Sequence, residues 1–159
     1  MSADQHGATL SILDRLTDLD PDSKREAGRS QWEDLRASKA SLCRDLAAIL
    51  NTRRAEDEID PKYEEVNNSL ATFGVTDFTS CNLLNGIEQE RVRRSIERAI
   101  RLFEPRLTRV TVILEPLDPL RPMLRFQISA LLRMQPAEPI AFDATLYRDS
   151  RRIAVSGAA

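Results

Sequence analysis

Histidine occurs once in the 159 residues, cysteine twice, glycine five times, and aromatic side chains make up 5%. Each scarcity excludes a class of function. One histidine, with no Cys-x-x-Cys pair at Cys43 or Cys81, leaves no material for a zinc site. Any Ser-His-Asp set would have to use His6, which lies in the N-terminal tail. The few glycines form no phosphate-cradling loop. So few aromatics give no stacking platform for single-stranded nucleic acid. No apolar run approaches the roughly 18 residues of a spanning helix. Met1-Ser2-Ala3-Asp4-Gln5-His6 has neither a basic n-region nor a long apolar h-region, so no secretory leader is expected. Two free thiols then fit the reducing cytoplasm. No metal, cofactor, small-molecule substrate or membrane insertion is expected.

What is present is a globular composition, 42% apolar and 30% charged. The length suits one ordinary domain with its own core. Lys and Arg number 23 against 25 Asp and Glu, a net charge of −2 that points to no global electrostatic partner. The charge is unevenly placed. Residues 1–80 carry 10 basic and 16 acidic side chains, and residues 81–159 carry 13 and 9. The halves could attract each other or present two docking faces.

Leu10, Ile12, Leu13, Leu16 and Leu19 follow the helical period over Thr9–Leu19, with Thr9 or Ser11 as cap. The polar stretch 20–30, with Pro21 and Gly28, reads as a linker. Residues 1–30 are therefore expected to form an arm and 31–159 a single α+β domain. The arm could dock on a partner or fold back on its own domain. A second helix is expected from about Gln31 or Ser38 to Asn51, carrying Leu35, Leu42, Leu46, Ile49 and Leu50. A third follows Pro61, capped by Asp60, with Tyr63, Val66, Leu70 and Phe73, and stops at Gly74. The longest helix places Val92, Ile96, Ala99, Ile100 and Phe103 on one stripe, with arginines and Glu88, Glu90 and Glu97 on the wet side. Pro105 ends it. Beyond Pro105 the apolar period switches to two. Val110–Leu114, Leu124–Leu132 and Ile140–Leu146 read as half-buried strands, with a short fourth strand over Arg152–Val155. The expected fold is α+β: helices first, then an antiparallel meander of three to four strands with one wet face, packed on the long helix.

Glu88, Glu90, Glu97, Glu104 and Glu115 could supply a glycosidase pair by residue type. Arginines beside those on the helix lower a carboxylate's pKa, whereas a general acid needs it raised. The arginine-rich helix could touch phosphates, but its interleaved glutamates favour a salt-bridged face or a protein partner. Glu104-Pro105-Arg106 stands out, because a carboxylate at a helix C-terminus opposes the dipole. It reads equally as a helix-to-strand junction with a local ion pair and as a rigid two-charge plug for a partner.

Four segments carry a resemblance: Ser11-Ile12-Leu13-Asp14-Arg15-Leu16, the helix Leu42–Arg53, Ser69-Leu70 to Phe73-Gly74-Val75-Thr76-Asp77-Phe78, and Glu104-Pro105-Arg106-Leu107. In this order and spacing they resemble the TssE family, baseplate wedge subunits of bacterial type VI secretion systems, with relatives in contractile phage tails. Phe73 stands where that family has Tyr, and Thr76 where it has Pro. The resemblance implies a non-enzymatic role in a wedge with TssF, TssG and TssK. It implies that Glu104, Pro105 and Arg106 face the wedge's helical core, and that the small sheet seeds the first sheath ring of TssB and TssC. The alternative is a peptidoglycan-cleaving, lysozyme-like hydrolase, a label some relatives bear.

A short fourth strand would leave the third partly bare. Strand addition by the sheath is therefore expected at or beside residues 140–155, using Phe142, Ala144, Thr145, Leu146, Ile153 and Val155. Leu10, Ile12, Leu13 and Leu16 are the expected contacts of the docking arm.

Overall fold

The computed structural model describes residues 11–16, 31–55, 59–78, 81–82, 84–116, 123–134, 136–147 and 152–157. The elements are α1 (Ile12–Leu16), α2 (Gln31–Asn51), α3 (Glu64–Asn67), a 3-10 turn (Leu70–Thr72) and α4 (Gly86–Phe103). Then come β1 (Leu107–Leu114), β2 (Met123–Leu132), β3 (Glu138–Tyr147) and β4 (Arg152–Gly157). The strands form one antiparallel meander in the order β1-β2-β3-β4. The fold is α+β, as the change of period implies.

Alternation decides which face of the sheet is dry. Leu124, Phe126, Ile128, Ala130 and Leu132 of β2 are buried, as are Ile140, Phe142, Ala144 and Leu146 of β3. Thr111, Arg125, Asp143 and Tyr147 are exposed on the other face. The helices cover the dry face, α2 against β4 and α4 against β1, and touch each other. Leu42, Leu46, Ile49 and Leu50 from α2 meet Val92, Ile96, Ala99 and Ile100 from α4 in one core with the strands. Truncating Phe126 or Phe142 in such a core costs about 3–5 kcal/mol.

β1 starts earlier than its alternation suggests. Leu107 and Val110 are both buried, although a strict period of two would put them on opposite faces. The pairing shifts register between Thr108 and Thr111, and Arg109 adopts a φ of 52° there. This bulge inserts one residue and returns Leu107 to the core side.

Two expectations are corrected. The helix after Pro61 is broken into α3 and the 3-10 turn. Its N-cap is Tyr63 and not Asp60, whose carboxylate accepts from the Lys62 N–H at 3.0 Å. Ser69 caps the 3-10 turn through the Ala71 N–H at 3.2 Å. Tyr63, Val66 and Leu70 lie exposed, and Phe73 packs edge-on against Phe103 with ring centroids 5.0 Å apart. Nor is β3 bare. β4 runs to Gly157 and pairs with β3 from Phe142↔Gly157 to Tyr147↔Arg152. Phe142, Ala144, Thr145 and Leu146 therefore sit on an inner strand, and the sheet's edges are β1 and β4.

The end of α2 is tied to the segment after the 3-10 turn. The Val75 N–H donates to the Thr52 carbonyl at 2.9 Å and the Arg54 N–H to the Val75 carbonyl at 3.0 Å. Gly74 permits this approach with a φ of 98°, and a Cβ there would lie 2.3 Å from the Thr52 oxygen. Gly74→Ala meets both backbone strain and a clash with main chain. It should lower stability by at least about 2 kcal/mol, read as a drop in the urea midpoint with the slope unchanged.

Candidate functional site

Glu104, Pro105 and Arg106 form the turn between α4 and β1. The Glu104 N–H still donates to the Ile100 carbonyl at 2.9 Å, and the Leu107 N–H donates to the Glu104 carbonyl at 3.1 Å. The chain reverses tightly here, turning the Arg106 side chain back over Glu104. Arg106 grips that carboxylate with two nitrogens, Nε to Oε1 at 2.8 Å and Nη2 to Oε2 at 2.6 Å. Glu104 is 2% exposed, while Pro105 is exposed. A buried carboxylate must be paired, and this fork pairs it.

The same guanidinium reaches α2. Nη2 lies 2.5 Å from Asp45 Oδ2, and Nη1 donates to Ser41 Oγ at 3.1 Å. The hydrogen bond to Glu104 pushes the Arg106 pKa upward, so the group stays charged. Ser41, which is fully buried, donates in turn to Asp14 of α1, and Arg44 pairs with Asp14 from the exposed side. One continuous polar cluster thus joins α1, α2 and the α4–β1 turn. It brings together Asp14, Arg44, Asp45 and Arg106 from three of the four segments singled out in the sequence.

In α1, Ser11 caps the helix by accepting from the Asp14 N–H at 3.1 Å, and its hydroxyl donates to the Asp14 carboxylate at 2.9 Å. Ile12 and Leu16 are 76% and 78% exposed. Leu10 and the side chain of Leu13 lie outside the described residues. α1 is therefore fastened to α2 through Asp14.

Both sheet edges are occupied by helix side chains. On β1, Glu97 Oε1 accepts from the Val112 N–H at 2.9 Å, and Arg101 Nη2 donates to the Val110 carbonyl at 2.8 Å. On β4, the Asn51 carboxamide accepts from the Ile153 N–H at 2.8 Å and donates to the Ile153 carbonyl at 2.9 Å. In the alternating ladder Ile153 and Val155 turn their backbone groups outward, whereas Thr145 shares its own with Ala154. Val155 is half-buried beyond the reach of these Asn51 bonds.

Glu97 corrects a further expectation. It is 8% exposed, not on the wet side, and Arg93 and Arg101 bond it along the helix. Glu90 is half-buried and paired with Arg93 and Arg94, whose hydrogen bonds hold the pKa of its carboxyl down to about 2. That is the wrong direction for a general acid at neutral pH. Burial raises the thiols of Cys43 and Cys81 above their ordinary pKa, which disfavours the nucleophilic thiolate. Among the described residues no helix is long and apolar enough to cross a membrane.

The buried polar groups hold the domain's own elements in register. In a comparison with protein-family models, residues 36–137 match the family described as baseplate wedge protein gp25. The match spans more than half of the chain, and the chain belongs to this family. It is a baseplate wedge protein of contractile tail or injection systems, and the family is structural rather than catalytic. No curated protein matches it. The matched range contains Asp45 and Glu104-Pro105-Arg106, and ends before β3.

Substitutions and an acid titration test the cluster. Arg106→Met leaves the Glu104 carboxylate buried and unpaired, and should cost about 3–5 kcal/mol in chemical denaturation. Asp45→Ala removes a more exposed partner and should cost about 1 kcal/mol or less. Asp14 is held below its ordinary 3.8, first by Ser41 and then by Ser11 and Arg44 against a desolvation cost. A depressed pKa stabilises above the unfolded value and is lost as pH falls through the folded value. The amide resonances of 12–16 and 41–44 should therefore shift together with one midpoint below 3.8. Asp14→Asn should place both sets near their acid positions at neutral pH.

Proposed function

We propose that the chain is a TssE-type wedge subunit of a type VI secretion system, acting in the cytoplasm on a baseplate docked at the inner membrane. The observation that carries this reading is the cluster through Asp14, Ser41, Asp45, Arg106 and Glu104. Segments far apart in sequence, each similar to the TssE family, are bonded to one another in this chain. In this reading residues 31–159 are the wedge domain and residues 1–30 the arm. The Glu104-Pro105-Arg106 turn meets the wedge core formed with TssF, TssG and TssK. Because Glu104 is buried, exposed Pro105 and the rim at Asp45 and Arg44 make that contact. The exposed Ile12 and Leu16 of the arm dock on the same partners. Sheath strands of TssB and TssC add at β4 around Val155, beyond Ile153, whose backbone groups Asn51 already holds. Phe142, Ala144, Thr145 and Leu146 support that edge from β3 without taking the incoming strand.

The test is copurification with tagged TssF and TssG. The full chain should be retained, and Pro105→Gly should weaken retention while the melting temperature stays within a few degrees. Retention by phage-tail wedge proteins and not by TssF and TssG would place the chain in a phage tail instead.

A further inference from the structure

Four arginines of α4, Arg91, Arg94, Arg98 and Arg101, recur at intervals of three, four and three residues. That spacing stacks them in one stripe about 15 Å long. The stripe faces away from the core, because Val92, Ile96, Ala99 and Ile100 occupy the opposite side of the helix. All four are exposed, Arg94 and Arg101 by 73% and 59% of their side chains.

Their internal partners leave much of each guanidinium unused. Among the described residues, Arg94 bonds Glu90 through Nε alone. Arg98 uses only Nη2, on the carbonyl and side chain of Asn67. Arg101 uses only Nη2, on Glu97 and the Val110 carbonyl. These contacts tether the side chains, which stay largely exposed to solvent. Arg94, Glu97, Arg98, Arg101 and Leu102 also line an open concavity of about 300 Å³. Glu97 in its floor is already neutralised by Arg93 and Arg101.

We propose that this stripe is a docking face for an acidic helix of a partner protein. Its carboxylates would pair with Arg94, Arg98 and Arg101 at matching helical spacing, and one apolar side chain would enter the concavity against Leu102. Charge complementarity selects the occupant. Guanidiniums in a row fit carboxylates repeated on a helix: Arg94 offers its Nη1 and Nη2 as a fork, and Arg98 and Arg101 offer the nitrogens their own contacts leave unused. Nucleic acid fits less well. The concavity is lined by Arg94, Glu97, Arg98, Arg101 and Leu102 and offers no aromatic ring on which a base could stack. The face lies on the β1 side of the sheet, away from the β4 edge, and its end at Leu102 is two residues before Glu104. The proposal stands whichever contractile system the chain serves.

The test uses the full chain and a labelled helical peptide of about 20 residues with Glu at three- and four-residue intervals and one central Leu. Fluorescence anisotropy is read at low and moderate salt. Binding should weaken several-fold between about 50 and 200 mM salt. The Arg94→Gln/Arg98→Gln double variant should lose roughly tenfold in affinity with an unchanged melting curve. Arg101 is left intact because it also holds β1. Equal binding by the double variant, or no salt dependence, overturns the assignment. So does tighter binding of single-stranded DNA of the same charge.

Discussion

The outward backbone groups of an edge strand must find partners, and in this fold side chains from the helices supply them. Asn51 closes β4 at Ile153, and Glu97 with Arg101 closes β1 at Val112 and Val110. Each bond also fixes where its helix ends up. Asn51 is the last residue of α2, so its carboxamide sets how far that helix runs along β4. Glu97 and Arg101 lie one turn apart on α4 and set the register of that helix against β1. The apolar core alone would tolerate some sliding, since burial is non-directional. Polar contacts at both edges remove that freedom, because a shifted helix leaves buried backbone groups without partners.

The order of elements, the half-buried strands and the dry face were legible in the sequence because alternation and the 3.6-residue period are local signals. What was not legible depended on distance. Asp45 and Arg106 are 61 residues apart, and only the packed fold reveals that one guanidinium serves both Asp45 and Glu104. Glu97 read as a solvated charge because glutamate on an arginine-rich helix usually is one. Its burial follows from a strand edge that the helix sequence does not announce. The bulge at Arg109 was missed for a related reason. A residue inserted into a strand breaks the very alternation used to find the strand, so the reading began at Val110 instead of Leu107. At Tyr63, Val66 and Leu70 the helical period was present but marks an outer face. Periodicity says that residues share a side, not which side is buried.

The junction at Glu104 contributes geometry more than net stability. A buried ion pair gains little over apolar packing of the same volume, because both charges give up water. Losing either half is costly, however, and that asymmetry makes the arrangement specific. Glu104 is satisfied only when Arg106 folds back across the Pro105 turn, and Arg106 is fully used only when α2 brings Ser41 and Asp45 beside it. Pro105 limits the backbone paths that permit this, and the Arg133 N–H, donating to the Arg106 carbonyl at 2.8 Å, ties the turn to the end of β2. The exposed side of the turn is thereby held rigid from beneath. A surface so supported loses little conformational entropy when a partner covers it, so an exposed proline above a closed charge cluster can serve as a contact of fixed shape.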